Sequence, residues 1–229
     1  MSTEKLHIEL YERSVVFVQR IAKDTPFVGM ERYVDLNNIV KQKIIKGVDF
    51  DNTQFVSEGL PRVIVFSNLN TRLIGHPDKI VLSLEDLNAG DGQFFNVVKD
   101  MSQFLSKEVD ISAVGINYNC IIKTENADDI IKKKIVSHFP PIFQDAYGGS
   151  IAPVYKEDDM LINVTINKGG IERKGVGTTN GILILLNYHR DIDSQNLIVT
   201  QISKFQESLE RVQEEFSASK KKMEGYFNE

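Results

Sequence analysis

Apolar and polar residues alternate from Leu6 through Ile8 and Leu10, and apolar residues then crowd together at Val15, Val16, Phe17 and Val18. A period of two sends successive side chains to opposite faces of a strand, so Leu6–Ile21 is predicted to be one long strand, bulged near Arg13-Ser14. Asp35 reads as the N-cap of a short helix with Leu36, Ile39, Val40, Ile44 and Ile45 at helical spacing, closed by Gly47. Asp49–Leu60 is polar and aperiodic and reads as irregular chain. Short strands are predicted at Arg62–Asn68, Thr71–Gly75 and Lys79–Leu84, parted by turn residues at Asn68-Leu69-Asn70 and His76-Pro77-Asp78. A helix opening at Asp91 or Gly92 carries Phe94, Phe95, Val97, Val98, Met101, Phe104 and Leu105 on its apolar side.

The pattern then begins again. Asp110–Lys123 is a long strand, and Asn126 is placed to cap a helix bearing Ile130, Ile131, Ile135, Val136 and Phe139, stopped by Pro140-Pro141. Strands recur at Ser150–Tyr155, Met160–Lys168 and Gly181–Arg190, and a long helix from about Ser194 to Phe227 follows. Each half thus reads β-α-β-β-β-α. The predicted fold is α+β: one duplicated domain over 1–229, with halves 1–108 and 109–229. Its sheet is curved and mainly antiparallel, with helices on one face. Two ferredoxin-like domains divided near Glu108 are the alternative, although no Pro/Gly/Ser-rich linker marks that point.

Composition narrows the picture. At 41% hydrophobic and 26% charged, the 229-residue chain has an ordinary globular composition. Its single cysteine, Cys120, excludes an internal disulfide framework and a Cys-rich zinc site. Cys120 alternates with polar neighbours in a strand and reads as a buried thiol. The net charge of −5 gives nucleic acid no general basic face to bind. No apolar run reaches the roughly 18 residues of a membrane span, and the N-terminal stretch lacks a signal-peptide pattern. A soluble cytoplasmic protein is expected.

The strand Ala113-Val-Gly-Ile-Asn-Tyr-Asn-Cys-Ile-Ile-Lys123 follows an aromatic-rich helix, and the stretch ILILLNYHRDID (182–193) precedes the terminal helix. Together they resemble landmarks of a sporadically distributed bacterial family of similar length, for which no activity is established. The resemblance implies an architecture and no chemistry.

The densest candidate for chemistry is NKGGIERKGVGTTNG, Asn167–Gly181, with five of the fifteen glycines and three cationic side chains. A phosphate cradle needs a helix after the glycines, so that backbone N–H groups face the phosphate; here a strand follows. A metal-dependent nuclease would pair Asp158 or Asp159 with Glu172 and let Lys174 orient the attacking water. Glycines on both sides hold such a set loosely, so Asp159, Glu172 and Lys174 form the alternative catalytic set. The preferred reading is a long cationic hairpin loop that contacts a partner. Lys168, Arg173 and Lys174 supply its charge, and Thr178, Thr179 and Asn180 its hydrogen bonds.

His7, His76, His138 and His189 are scattered, and only His189, Asp191 and Asp193 share one strand face. No metal or cofactor is expected. The terminal helix repeats apolar residues in steps of three and four at Ile202, Phe205, Leu209, Val212, Phe216, Ser219, Met223 and Tyr226. That stripe closes the core, or alternatively forms a coiled-coil homodimer through Ile202, Phe205, Leu209, Val212, Phe216 and Met223. The functional expectation is a non-enzymatic binding or assembly protein, homodimeric through the C-terminal helix, with a possible protein partner. The alternatives are a metal-dependent nuclease or hydrolase and a subunit of a phage-encoded or phage-defence complex.

Overall fold

The structure, a computed structural model, describes residues 5–20, 53–57, 62–66, 71–84, 91–108, 111–138, 140, 150–157, 160–173, 177–192 and 198–229. Among these residues the chain forms nine strands, three α-helices and a short 3₁₀ turn, an α+β protein. The strands are β1 (Ile8–Gln19), β2 (Thr53–Ser57), β3 (Arg62–Phe66), β4 (Thr71–Gly75), β5 (Lys79–Leu84), β6 (Ile111–Lys123), β7 (Val154–Glu157), β8 (Met160–Arg173) and β9 (Gly177–Asp191). The helices are α1 (Asp91–Glu108), α2 (Ala127–Lys134) and α3 (Ile198–Asn228). Hydrogen-bonded neighbours follow the order β2-β3-β4-β5-β1-β6-β9-β8-β7.

The chain divides into two compact units that interleave in sequence. One comprises 1–11, 118–188 and 214–229, the other 12–117 and 189–213. The division does not fall near residue 108, because β1, β6, β9 and α3 each contribute residues to both units. The predicted first helix over Leu36–Ile45 lies outside the described residues.

In the second unit, β2 through β5 form an antiparallel meander, and β1 pairs antiparallel with β5 from Arg13↔Leu84 to Val18↔Lys79. Val15 and Phe17 of β1 and Ile80, Leu82 and Leu84 of β5 are buried, as the period of two requires. Helix α1 buries Phe94, Val97, Val98, Met101 and Leu105, one stripe at 3.6-residue spacing. β4 and β5 match their predicted spans. β2 does not, because it falls in the stretch expected to be irregular. Its register shifts between Phe55 and Ser57, and such a shift hides a strand from a test for strict alternation.

In the first unit, β8 buries Met160, Ile162, Val164 and Ile166, and β9 buries Ile182, Ile184, Leu186 and Tyr188, each alternating with half-buried residues. Tyr118 of β6 stacks on Phe216 of α3, with ring centroids 4.0 Å apart and planes 7° from parallel. Tyr188 meets Tyr118 edge-on at 5.8 Å, a favoured aromatic arrangement. Beside them Cys120 is fully buried, as its strand context predicts. Helix α2 ends sooner than the sequence pattern implies, at Lys134, and Val136–His138 continue as a 3₁₀ turn. Asn126 occupies the N-cap position without a side-chain cap bond. Its backbone N–H donates instead to Thr124 Oγ1 at 3.1 Å.

Candidate functional site

The Gly-rich stretch is not the dozen-residue loop expected from its composition. β8 continues through Lys168, Gly169, Gly170 and Glu172 to Arg173, and β9 starts at Gly177. Only residues 174–176 separate the two strands, and these lie outside the described residues. Pairing extends this far along β8, where Gly170 faces Thr178, Thr179 and Asn180 of the neighbouring β9 and Gly169 faces Leu183, and threonine suits a pleated surface. A Cβ at Gly170 would come within 2.7 Å of Asn180 Oδ1 and 3.1 Å of Thr178 Cγ2, so side chains from β9 lie over the bare Gly170 backbone.

The proposed contact residues divide by environment. Lys168 reaches Asp128 of α2, Nζ to Oδ2 2.5 Å, in an exposed ion pair. Thr178 and Asn180 are exposed, and Thr179 is half-buried. The Lys174 residue and the Arg173 side chain lie outside the described residues. Of the alternative catalytic set, Asp159 and Lys174 also lie outside them. Glu172 sits twelve residues along β8 from Met160, about 40 Å of strand at roughly 3.3 Å per residue.

His189 and Asp191 do share a strand face, with Nε2 and Oδ1 3.1 Å apart, while Asp193 lies outside the described residues. Among the described residues no three His, Cys, Asp or Glu side chains gather as a metal site. Among the described side chains, Val212 and Phe216 of the α3 stripe are packed within the chain. Val212 is 4% and Phe216 8% exposed, so neither is free to form an intermolecular seam. The side chains of Ile202, Phe205 and Leu209 lie outside the described residues, and Met223 is half-buried. At the helix end Phe227 is buried while Tyr226 is exposed. A straight helix drifts about 20° per heptad away from a strict seven-residue repeat, and here that drift turns the buried stripe from Tyr226 to Phe227.

Sequence reasoning missed an open cleft of about 790 Å³ in the first unit, formed by α2, the end of α3 and the segment before β1. Leu6, Ile130 and Phe227 give it apolar surface, and Thr124, Asn126 and Asn228 give it polar groups. Lys5, Lys133 and Lys134 bring three cations and Glu229 one carboxylate. Asn228 fixes one wall. Its Oδ1 accepts from Leu6 N–H at 2.8 Å while its Nδ2 donates to Leu6 O at 2.8 Å, a side chain imitating a strand neighbour. Next to it, Ile8 N–H donates to Glu224 Oε1 at 2.9 Å. Lys134 Nζ lies 5.3 Å from the Tyr226 ring centre, and the Tyr226 hydroxyl donates to Lys134 O. The one sequence signal was the block Lys132-Lys133-Lys134, which alone reads as a complement to its own helix dipole.

No protein family model matches the chain. No curated protein matches it either. Among solved structures, the S. pombe RNA triphosphatase Pct1 in complex with the Spt5 CTD aligns over 96% of this chain and 83% of its own, at 8% identity. Its TM-score of 0.13 supports no statement about fold or function. Among the described residues no helix is long and apolar enough to cross a membrane.

Proposed function

We propose that this chain is a non-enzymatic binding and assembly protein, built on a duplicated scaffold, whose contact surface is the sheet margin formed by β7 and the β8–β9 hairpin. The observation that carries this reading is β7 itself. It ends the strand order among the described residues, and its Val154 and Tyr155 are 61% and 42% exposed. A terminal strand offers a row of backbone donors and acceptors, and apolar side chains on it favour pairing with another chain. Thr178 and Asn180 of the adjoining hairpin add exposed hydrogen-bonding groups. Lys168 contributes less than its charge implies, because Asp128 already neutralises it.

The partner that fits is a second copy of the chain, with β7 pairing to β7 in place of the helix seam that Val212 and Phe216 no longer offer. Light scattering across a concentration series is expected to detect a dimer. Tyr155→Lys should raise its dissociation constant at least about tenfold, since an added edge charge opposes strand pairing. A protein that stays monomeric up to roughly 1 mM, an affinity of only about −4 kcal/mol, would remove self-association from the reading.

A further inference from the structure

We infer that the cleft between α2 and the end of α3 binds a small amphiphilic organic anion, its carboxylate or phosphate group held by Lys133, Lys134 and Lys5 and its apolar body laid on Ile130 and Leu6. The inference stands apart from the sheet-margin reading and uses none of its residues. Size fits first: about 790 Å³ lies within the roughly 300–1,000 Å³ of small-molecule sites. The surface is of the right kind as well, an apolar patch beside a few convergent polar groups.

Charge decides the class of ligand. Lys5 and Lys133 have no ion-pair partner among the described residues, and the Lys134 amine faces only the Tyr226 ring. Against these three positive charges stand the Glu229 carboxylate and the C-terminal ends of α2 and α3. Each helix end contributes about half a negative charge, and among the side chains that line the cleft three lysines stand against one carboxylate. α3 has no basic residue in its own last turn, so part of the lysine charge serves that helix end. The remainder suits an anion, and lysine amines hold one as point charges. Thr124 Oγ1 already accepts from Asn126 N–H, while the Asn126 side chain, unused as a cap, is left to hydrogen-bond a ligand oxygen.

Isothermal titration and amide chemical-shift mapping on the full chain can use 1-naphthoate, 1-naphthyl phosphate, neutral 1-naphthalenemethanol and inorganic phosphate. At least one naphthyl anion is expected to bind with a dissociation constant below about 1 mM, shifting amides of α2 and residues 226–229. The tighter of the two identifies the headgroup. The neutral alcohol and inorganic phosphate should each bind at least tenfold more weakly, since one lacks the charge and the other the apolar body. Lys133→Gln/Lys134→Gln should weaken the anion at least tenfold while far-UV circular dichroism is unchanged. If that double variant misfolds, Lys133→Gln, at an exposed side chain, should still weaken it several-fold. Equal binding of anion and alcohol, unaltered affinity in the lysine variants, or no binding at 5 mM (about −3 kcal/mol) would each overturn the site.

Discussion

Gly181 shows how one residue can be fixed by its neighbours. A Cβ built there would lie 2.0 Å from the backbone oxygen of Ile122, on the adjacent strand β6, and 3.3 Å from an Ile121 side-chain carbon. Backbone cannot step aside as the end of a flexible side chain can, so any larger residue forces β9 away from β6. Gly181→Ala is expected to destabilise the protein by about 2–4 kcal/mol, at or above the usual range for overpacking, as read by urea unfolding. An alanine that costs less than about 0.5 kcal/mol, the noise of a neutral surface change, would mean the strands can part freely. Gly177 has a different reason to be glycine: φ is +90° where β9 leaves the turn, and side chains rarely adopt that conformation. The sequence displayed five glycines as one cluster. It could not separate a glycine needed for close strand approach from one needed for a turn, because that depends on which strand lies alongside.

At the scale of elements, α3 is the most legible feature and the one whose role changed most. Its apolar stripe was readable from spacing alone, since a 3.6-residue repeat needs no knowledge of the partner surface. What covers the stripe was not readable. Phe216 stacks on Tyr118 and is buried within the chain, so this part of the helix closes a core. Phe216→Ala should cost about 3–5 kcal/mol, the range for truncating a buried phenylalanine. Sizing at fixed concentration should be unchanged, whereas a seam residue would alter oligomeric state as well. The hairpin teaches the reverse lesson. Glycine-rich composition predicted a loop, yet Gly169 and Gly170 continue β8 because β9 supplies the hydrogen-bond partners. Backbone pairing between strands depends on what lies opposite, which local propensity does not encode.

At the scale of the whole molecule, Cys120 and Tyr188 make stability fall on the alkaline side. Burial pushes the Cys120 thiol from 9.0 up to about 12, opposed weakly by Lys220. Burial likewise raises the Tyr188 hydroxyl above the usual phenol range, and its buried oxygen meets no hydrogen-bond partner in the fold. Both groups stay protonated in the fold after they would ionise in the unfolded chain, so the unfolded state binds fewer protons above pH 9. Stability should therefore be level through neutral pH and fall from about pH 9 toward 12, by at most about 1.4 kcal/mol per pH unit for each group in its window. Urea midpoints at pH 7, 9 and 10.5 would test this, and Cys120→Ala should flatten the slope. An unchanged slope in that variant would remove Cys120 from the account. The sequence by itself determined the α+β class, the spans of β4 and β5, the buried thiol and the amphipathic stripe of α3, because periodicity and residue chemistry are local properties of the chain. Only the tertiary structure decided that Gly169 and Gly170 continue a strand, that Glu172 lies a strand's length from Met160, and that Lys5, Lys133 and Lys134 share one cleft with Phe227. Those facts depend on which distant segments meet, and segments more than a hundred residues apart are brought together by packing.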